Sequence, residues 1–315
     1  HSRVGSYIDV KAALTDPESY SPAMIQRARN MATRSLSLQW VSGDAAKAES
    51  SFFKINTQGT ALDATEELIL KNRKRTIAIA ARSIVRAATG HKYWSQFDVE
   101  ARKKIEEEAV LLHHALFNPE IDHPIKTLDL PIGGTKSPLD ALEMLMSIIS
   151  ITNAVQGESK KLLESFPEDG DGSQTFEELR KCYKVVGRTS GSGDGSLGLH
   201  PAVYFYSDRG RHLPDLLLGM LLLFKRKIAN NDKEFFKKFI SARESLEKFL
   251  IVNKSTISQS LQSARSQVRF IRVADMFEFL IKQFNEGTDF KIEHLLEILL
   301  PNSVSRILTI SSTME

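Results

Sequence analysis

Asn56 and Gln58 are the first residues in this chain whose types and spacing could do chemistry. They stand in the sequence N-T-Q-G, and asparagine and glycine are the residues that tolerate a left-handed backbone. Asp63 and Glu66 follow at capping-box spacing, which predicts that a new helix begins there. A turn that holds two amides beside a helix N-terminus could bind a phosphate or a base. A structural corner, in which the asparagine satisfies local backbone groups, explains the same residues.

A basic stripe follows on a predicted helix over about 64–88. The sequence has no acidic residue between Leu68 and Phe97. At about 100° per residue, a set of cations falls within roughly a 60° sector of this helix, opposite its apolar residues. These cations are Lys71, Arg75, Arg82 and Arg86, and Lys92 lies just beyond the helix. The stripe predicts contact with a phosphate backbone, and the alternative is a solvated face that pairs with the glutamates at 106–108.

A second polar cluster lies downstream of a Gly/Ser-rich loop. His200, Arg209 and Arg211 are candidate lining residues of a cleft, since they flank an aromatic segment at 202–206 that could form a strand. A polar turn between a strand and a helix is the simpler account of the same residues. The spacing G-x-G-x-x-G at 193–198 matches the dinucleotide fingerprint in form only. That motif must follow a strand and open a helix, whereas here it follows a predicted helix.

One acidic run resembles a calcium-binding loop. Aligning Gly172 with the required glycine places Asp169, Asp171 and Glu178 at ligand positions, but Pro167 occupies the first of them. We therefore predict an acidic linker before a capped helix, and no metal site. No H-E-x-x-H or paired-cysteine spacing supports zinc, no G-x-S-x-G accompanies a nucleophile, and no P-loop is present.

The composition is that of an ordinary globular protein and not of a fibrous or disordered one. Of 315 residues, 42% are hydrophobic and 26% are charged, and the formal net charge is +3. That charge is too small to indicate a nucleic-acid partner, so the placement of charge must decide. The single cysteine, Cys182, excludes an internal disulfide framework and predicts a cytoplasmic location. The longest apolar run, at 213–224, contains a proline, an aspartate and a glycine, so we expect a buried helix and no membrane span.

Helical periodicity dominates the chain and predicts a mainly α fold, a multi-helix bundle with one or two short strands at about 36–41 and 202–206. The proline- and glycine-containing loop at 120–136 is the predicted domain boundary. It separates a helical region over 1–130, which contains the candidate turn and the basic stripe, from a C-terminal helical domain over 137–315. The predicted helices include 64–88, 99–117, 232–252 and 257–284.

The phrase F-F-K-I-N-T-Q-G-T-A-L, from Phe52 to Leu62, resembles the F-x-x-x-N-x-x-G-x-x-L motif of ParB-like proteins of the GmrSD type. Those proteins act in modification-dependent restriction and phage defence. Two further phrases, G-H-K-Y-W at 90–94 and L-G-L-H-P-A-V-Y-F-Y at 197–206, resemble downstream motifs of a subgroup in consistent order. The resemblance extends over residues 36–206, and no motif is recognisable after about residue 230.

In that family the ParB-like domain carries a D-G-Q-Q-R motif, held to act in nucleotide hydrolysis or nucleic-acid cleavage, and the motif asparagine lies beside it. The resemblance implies a catalytic role for Asn56, with Phe52 and Gly59 as structural supports, and a nucleoside triphosphate with magnesium as cofactor. This chain contains no D-G-Q-Q-R. It would then begin after that motif and form the helical body of an α+β protein. We expect a DNA- or nucleotide-handling component of a defence protein, whose NTPase or endonuclease activity depends on the missing motif.

A non-enzymatic helical interaction module is the alternative hypothesis. In it, the Gly/Ser-rich loop from Arg188 to Gly198 and the aromatic segment after it would bind a protein partner or a second copy of the chain. Salt dependence separates the two hypotheses, because contacts to a phosphate backbone weaken steeply with salt whereas an apolar interface changes little. DNA and protein both stay open as partners.

Overall fold

The computed structural model describes residues 7–33, 63–89, 93–120, 130–133, 138–288 and 290–300. Within these ranges the protein is a multi-helix bundle with no strand, so the prediction of a mainly α fold is confirmed. In chain order the helices are α1 (Tyr7–Thr15), α2 (Pro22–Ala32), α3 (Ala64–Lys71), α4 (Thr76–Val85), α5 (Val99–Phe117), α6 (Pro138–Thr152), α7 (Ser173–Ser190), α8 (Pro201–Tyr204), α9 (Pro214–Ala229), α10 (Lys233–Ser263), α11 (Arg269–Glu286) and α12 (Ile292–Leu299).

The prediction of a strand at 202–206 is wrong. Pro201 begins the short helix α8, and the amide of Phe205 donates to the Pro201 carbonyl at 2.7 Å. Only an isolated antiparallel bridge between Tyr206 and His212 remains of the extended structure in that segment. The other predicted strand, at 36–41, lies outside the described residues.

The chain divides into two compact units, His1–Leu62 and Asp63–Glu315. In the first unit, α1 and α2 pack against each other around Val10, Ala13 and Ala28. In the second unit one core cluster extends from Ile69 to Leu299. The boundary predicted at 120–136 falls inside this second unit, and side chains from both sides of it contribute to the core.

Helix α9 is the centre of the second unit. Its residues from Met220 to Phe224 are fully buried, and the helix packs against α6, α7 and α11. The expectation that the longest apolar run is a buried helix is confirmed. None of the described helices is long and apolar enough to cross a membrane.

The helix predicted over 64–88 is broken into α3 and α4. The side-chain amide of Asn72 donates to the Leu68 carbonyl at 2.8 Å, which closes the last turn of α3. The amide of Thr76 donates to the carbonyl of Pro167 at 3.0 Å, outside the helix. A tertiary contact therefore interrupts a segment whose local pattern favours one continuous helix.

The acidic run before α7 is a helix cap, so the resemblance to a calcium loop has a structural explanation. Asp169 is 4% exposed, and its Oδ2 accepts from the backbone amide and the hydroxyl of Thr175 at 2.8 and 2.7 Å. Its Oδ1 accepts from the amide of Gly172 at 2.9 Å. Glu178 is paired with Lys161 at 3.0 Å. No group of three His, Cys, Asp or Glu side chains in the described ranges could hold a metal ion.

The reactivity of the Cys182 thiol tests whether this face of α7 is buried. Its side chain is fully buried, and burial raises the pKa of the thiol to about 12. Because the thiolate is the reactive species, we expect no reaction of the native protein with Ellman's reagent at pH 8. One thiol per chain should react after unfolding in guanidinium chloride. Rapid labelling of the native protein would contradict the burial of this face of α7.

Candidate functional site

The structure separates the cations of the predicted basic stripe. Lys71 lies at the end of α3, where its ammonium contacts the Glu67 carboxylate at 2.5 Å. Arg75 lies between the two helices, and its guanidinium donates to the carbonyls of Glu164 and Phe166 at 3.0 and 2.5 Å. Arg75 thus fixes the segment before α7 to the start of α4. The single stripe on one helix is a wrong prediction, because α3 and α4 are different helices.

Arg82 and Arg86 do come together, at a cleft of about 550 Å³ that we call the arginine cleft. The Arg82 guanidinium lies 4.2 Å from the centroid of the Tyr93 ring, and burial lowers the pKa of Arg82. Arg86 is exposed. Glu66 also lines this cleft. The remaining predicted residues Asn56, Gln58 and Lys92 lie outside the described residues.

The downstream candidates His200, Arg209 and Arg211 lie around α8. His200 is half-buried at the start of this helix, and the two arginines are exposed on a turn that the Ser207 amide closes by donating to the Arg211 carbonyl at 2.8 Å. The aromatic segment at 204–206 is buried. It therefore forms part of the core, and not the partner-binding surface that the interaction-module hypothesis placed there.

The Gly/Ser-rich segment at 191–198, here called the glycine loop, is held through its second half by two guanidinium groups. Arg188 on α7 donates to the carbonyl of Gly195 at 2.5 Å. Arg243 on α10 donates to the carbonyls of Leu197 and Gly198 at 2.7 and 3.1 Å. These contacts hold the loop against α7 and α10.

A cleft of about 360 Å³ lies where the glycine loop meets α7, the end of α9 and the start of α10. We call it the basic cleft. Its described lining includes the cations Lys184, Arg188, Lys227 and Lys233, and the carboxylate Asp232. Lys184 and Arg188 share one face of α7 because they are four residues apart. Asp232 accepts from the amide of Phe235 at 3.0 Å and so caps α10.

The cations of the basic cleft fall into two kinds. Lys227 contacts the carboxylates of Glu278 and Asp232 at 2.5 and 3.5 Å, and Arg188 is bonded to the glycine loop. Lys184 and Lys233 are exposed, and within the described part of the chain their side chains have no hydrogen bond or ion pair. Two uncompensated lysines therefore adjoin two fixed cations, which gives the cleft a positive potential.

Aromatic and apolar side chains complete the basic cleft. Tyr183 is half-buried on α7, Phe236 is nearly buried on α10, and Ile228 lies at the end of α9. The Arg188 guanidinium lies 4.7 Å from the centroid of the Phe236 ring. Tyr183 also lines an adjoining cleft of about 230 Å³, which includes His114.

Lys184 and Lys233 were not predicted as site residues, because they belong to different helices. One signal was available, namely the i, i+4 pair of cations Lys184 and Arg188 directly before the glycine loop. Lys233 faces the same cleft because α10 lies beside α7. The pattern of residues along one helix contains no information about such packing.

Comparison of the chain with protein-family models, with curated proteins and with solved structures gives no match.

Proposed function

We propose that this chain is a nucleic-acid-binding helical protein whose basic cleft contacts the phosphate backbone. The observation that supports it most strongly is the pair Lys184 and Lys233, two unpaired cations from different helices that line one cleft. The proposal belongs to the class that the ParB-like resemblance implies, a cytoplasmic DNA- or nucleotide-handling component of a restriction or phage-defence protein.

Unpaired lysines matter more here than the total number of basic residues. A cation that already has a carboxylate partner gains little from a phosphate, whereas an unpaired lysine neutralises a phosphate and releases condensed counterions. Lys184 and Lys233 can each do this without breaking an internal contact. Arg188 and Lys227 keep their partners and add to the local positive potential.

The other predicted residues have defined places in this proposal. Arg82 and Arg86, which line the arginine cleft, would add a second contact. Lys71 contacts Glu67 and Arg75 donates to the Glu164 carbonyl, so we assign no phosphate contact to these two. The roles of Asn56, Gln58 and Lys92 stay predictions of the sequence, as does any nucleotide hydrolysis with magnesium.

The variant Lys184→Gln/Lys233→Gln tests the proposal. We expect its affinity for a fluorescently labelled oligonucleotide, measured by anisotropy at about 50 mM KCl, to fall about tenfold, because two phosphate contacts are lost. The matched control is Lys103→Gln/Lys104→Gln on α5, whose lysines contact Glu107 and Glu100 at 3.8 and 2.9 Å. Each variant removes two positive charges, so both lower the formal net charge from +3 by the same amount.

The control should bind within about twofold of the unmodified protein, because paired exposed lysines away from the cleft make no phosphate contact. Equal losses of affinity in the two variants would show a general effect of charge, and would contradict a phosphate contact at the basic cleft. No binding of any oligonucleotide at low salt would contradict the proposed function itself.

A protein-interaction role is the second candidate, and one observation favours it. Helix α10 exposes Ile240, Ile251 and Val252, which are 61%, 57% and 80% accessible. The first two are eleven residues apart and so share one face of the helix. Binding through this face would be nearly independent of salt, whereas binding through the basic cleft would not.

A further inference from the structure

We infer that the basic cleft takes nucleic acid as a single strand, with one unpaired base stacked on Tyr183 and the neighbouring phosphates at Lys184 and Lys233. This inference rests on the proposed function and specifies its ligand. It is carried by the size of the cleft, by the ring and guanidinium that line it, and by the position of the unpaired lysines.

The size of the basic cleft fits one nucleotide and not a duplex. Its volume of about 360 Å³ lies at the lower end of the roughly 300–1,000 Å³ range of small-molecule sites. A duplex keeps its bases stacked inside a rigid helix and presents only groove edges and phosphates to a protein. A single strand can turn one base out of its stack and into such a cleft.

The lining of the basic cleft supplies surfaces on which a base can stack. The Tyr183 ring lies beside the backbone of its own helix, since a methyl group added at Gly187 would meet that ring at 3.5 Å. Arg188 is held by its hydrogen bond to the Gly195 carbonyl and by its contact with the Phe236 ring. Bases stack on aromatic rings and on guanidinium planes, and neither kind of stacking requires a particular sequence.

Lys184 and Lys233 can contact phosphates of the strand whose base occupies the cleft. They belong to α7 and α10, so they approach the cleft from two elements. A strand whose base occupies the cleft would carry phosphates on both sides of that base. Binding is then expected to depend on both stacking and charge, with different residues responsible for each.

The test compares Tyr183→Leu with Phe176→Leu, a half-buried aromatic on the same helix that is not among the described residues of the basic cleft. Oligonucleotides of twelve nucleotides, single-stranded or paired, are titrated at equal salt. We expect the unmodified protein to bind the single strand about tenfold tighter than the duplex. Tyr183→Leu should weaken single-strand binding about fivefold to a hundredfold, the loss typical of one base stack, with the salt dependence unchanged.

Two further readouts separate the possible ligands. A 2-aminopurine base in the single strand should lose fluorescence on binding to the unmodified protein and to Phe176→Leu, but not on binding to Tyr183→Leu. A free nucleoside monophosphate at the same nucleotide concentration should not displace the labelled strand, because it makes only one phosphate contact. Displacement by the free nucleotide would overturn the assignment to a strand.

The failure of this inference differs from the failure of the proposed function. If the duplex binds as tightly as the single strand, or if Tyr183→Leu behaves like Phe176→Leu, the single-strand inference is overturned and nucleic-acid binding stands. If neither form of nucleic acid binds, both are overturned.

Discussion

Replacing Gly219 by alanine is expected to lower the free energy of unfolding by about 2 kcal/mol or more, the cost of overpacking a tight core contact. Gly219 lies in α9 where that helix approaches α11. A Cβ at this position would lie 2.4 Å from Cγ1 of Val273 and 2.8 Å from the carbonyl oxygen of Phe270. The second contact is with backbone, so relief requires the two helices to separate. The gain in helix propensity, about 1 kcal/mol, is too small to offset this.

Gly187→Ala is the matched control for Gly219→Ala. Gly187 also lies inside a helix, but a Cβ there would meet the Tyr183 ring at 3.5 Å, an ordinary contact. We expect this variant to be unchanged or more stable by about 0.5–1 kcal/mol. Urea denaturation followed by circular dichroism measures both variants. Equal effects at the two glycines would contradict the close approach of α9 and α11.

Replacing Asp169 by alanine should lower the free energy of unfolding by about 3 kcal/mol. The buried carboxylate accepts from the amides of Gly172 and Thr175 and from the Thr175 hydroxyl, at 2.7 to 2.9 Å. The substitution leaves these donors buried without an acceptor, and each such loss costs about 1–3 kcal/mol. The start of α7 and the segment that Arg75 holds should both loosen.

Asp171→Ala is the comparison for Asp169→Ala. Asp171 is exposed and accepts from the amide and the hydroxyl of Ser173 at 2.9 and 2.7 Å. Water can replace this carboxylate, so we expect a much smaller loss of stability. Added calcium should leave the thermal midpoint of the unmodified protein in place. A clear rise of that midpoint with calcium would show that the acidic run is a cation site after all.

Elements whose ends are set by residues close in sequence lie where they are predicted. Helix α5 extends from Val99 to Phe117, as predicted, because the carboxylate of Asp98 caps its first turn by accepting from two backbone amides. The proline after Asn118 follows its end. The apolar run within α9 is buried as expected, since its composition alone requires a core position.

Elements whose ends depend on contacts distant in sequence differ from their prediction. The break between α3 and α4 depends on Pro167, and Arg75 bonds to carbonyls about 90 residues away. Periodicity placed Arg75 on an exposed stripe because it carries no information about such partners. The break between the helices predicted at 232–252 and 257–284 was also misplaced. Helix α10 continues to Ser263, and α11 begins only at Arg269.

The same limit applies to the candidate site. A stripe along one helix can be recognised from spacing, whereas a cleft built from α7, α9, α10 and the glycine loop requires the fold. Lys184 and Lys233 are 49 positions apart in the chain. Their common function could be proposed only after the packing of α7 and α10 was known.

The salt dependence of single-strand binding tests the central claim most directly. The logarithm of the affinity is measured against the logarithm of KCl concentration for the unmodified protein and for Lys184→Gln/Lys233→Gln. Each phosphate contact to a single strand contributes about 0.7 to the slope, so the two lysines together predict a slope about 1.4 shallower in the variant. A variant with an unchanged slope, or an unmodified protein whose binding is insensitive to salt, would contradict the assignment of the basic cleft as a phosphate-binding surface.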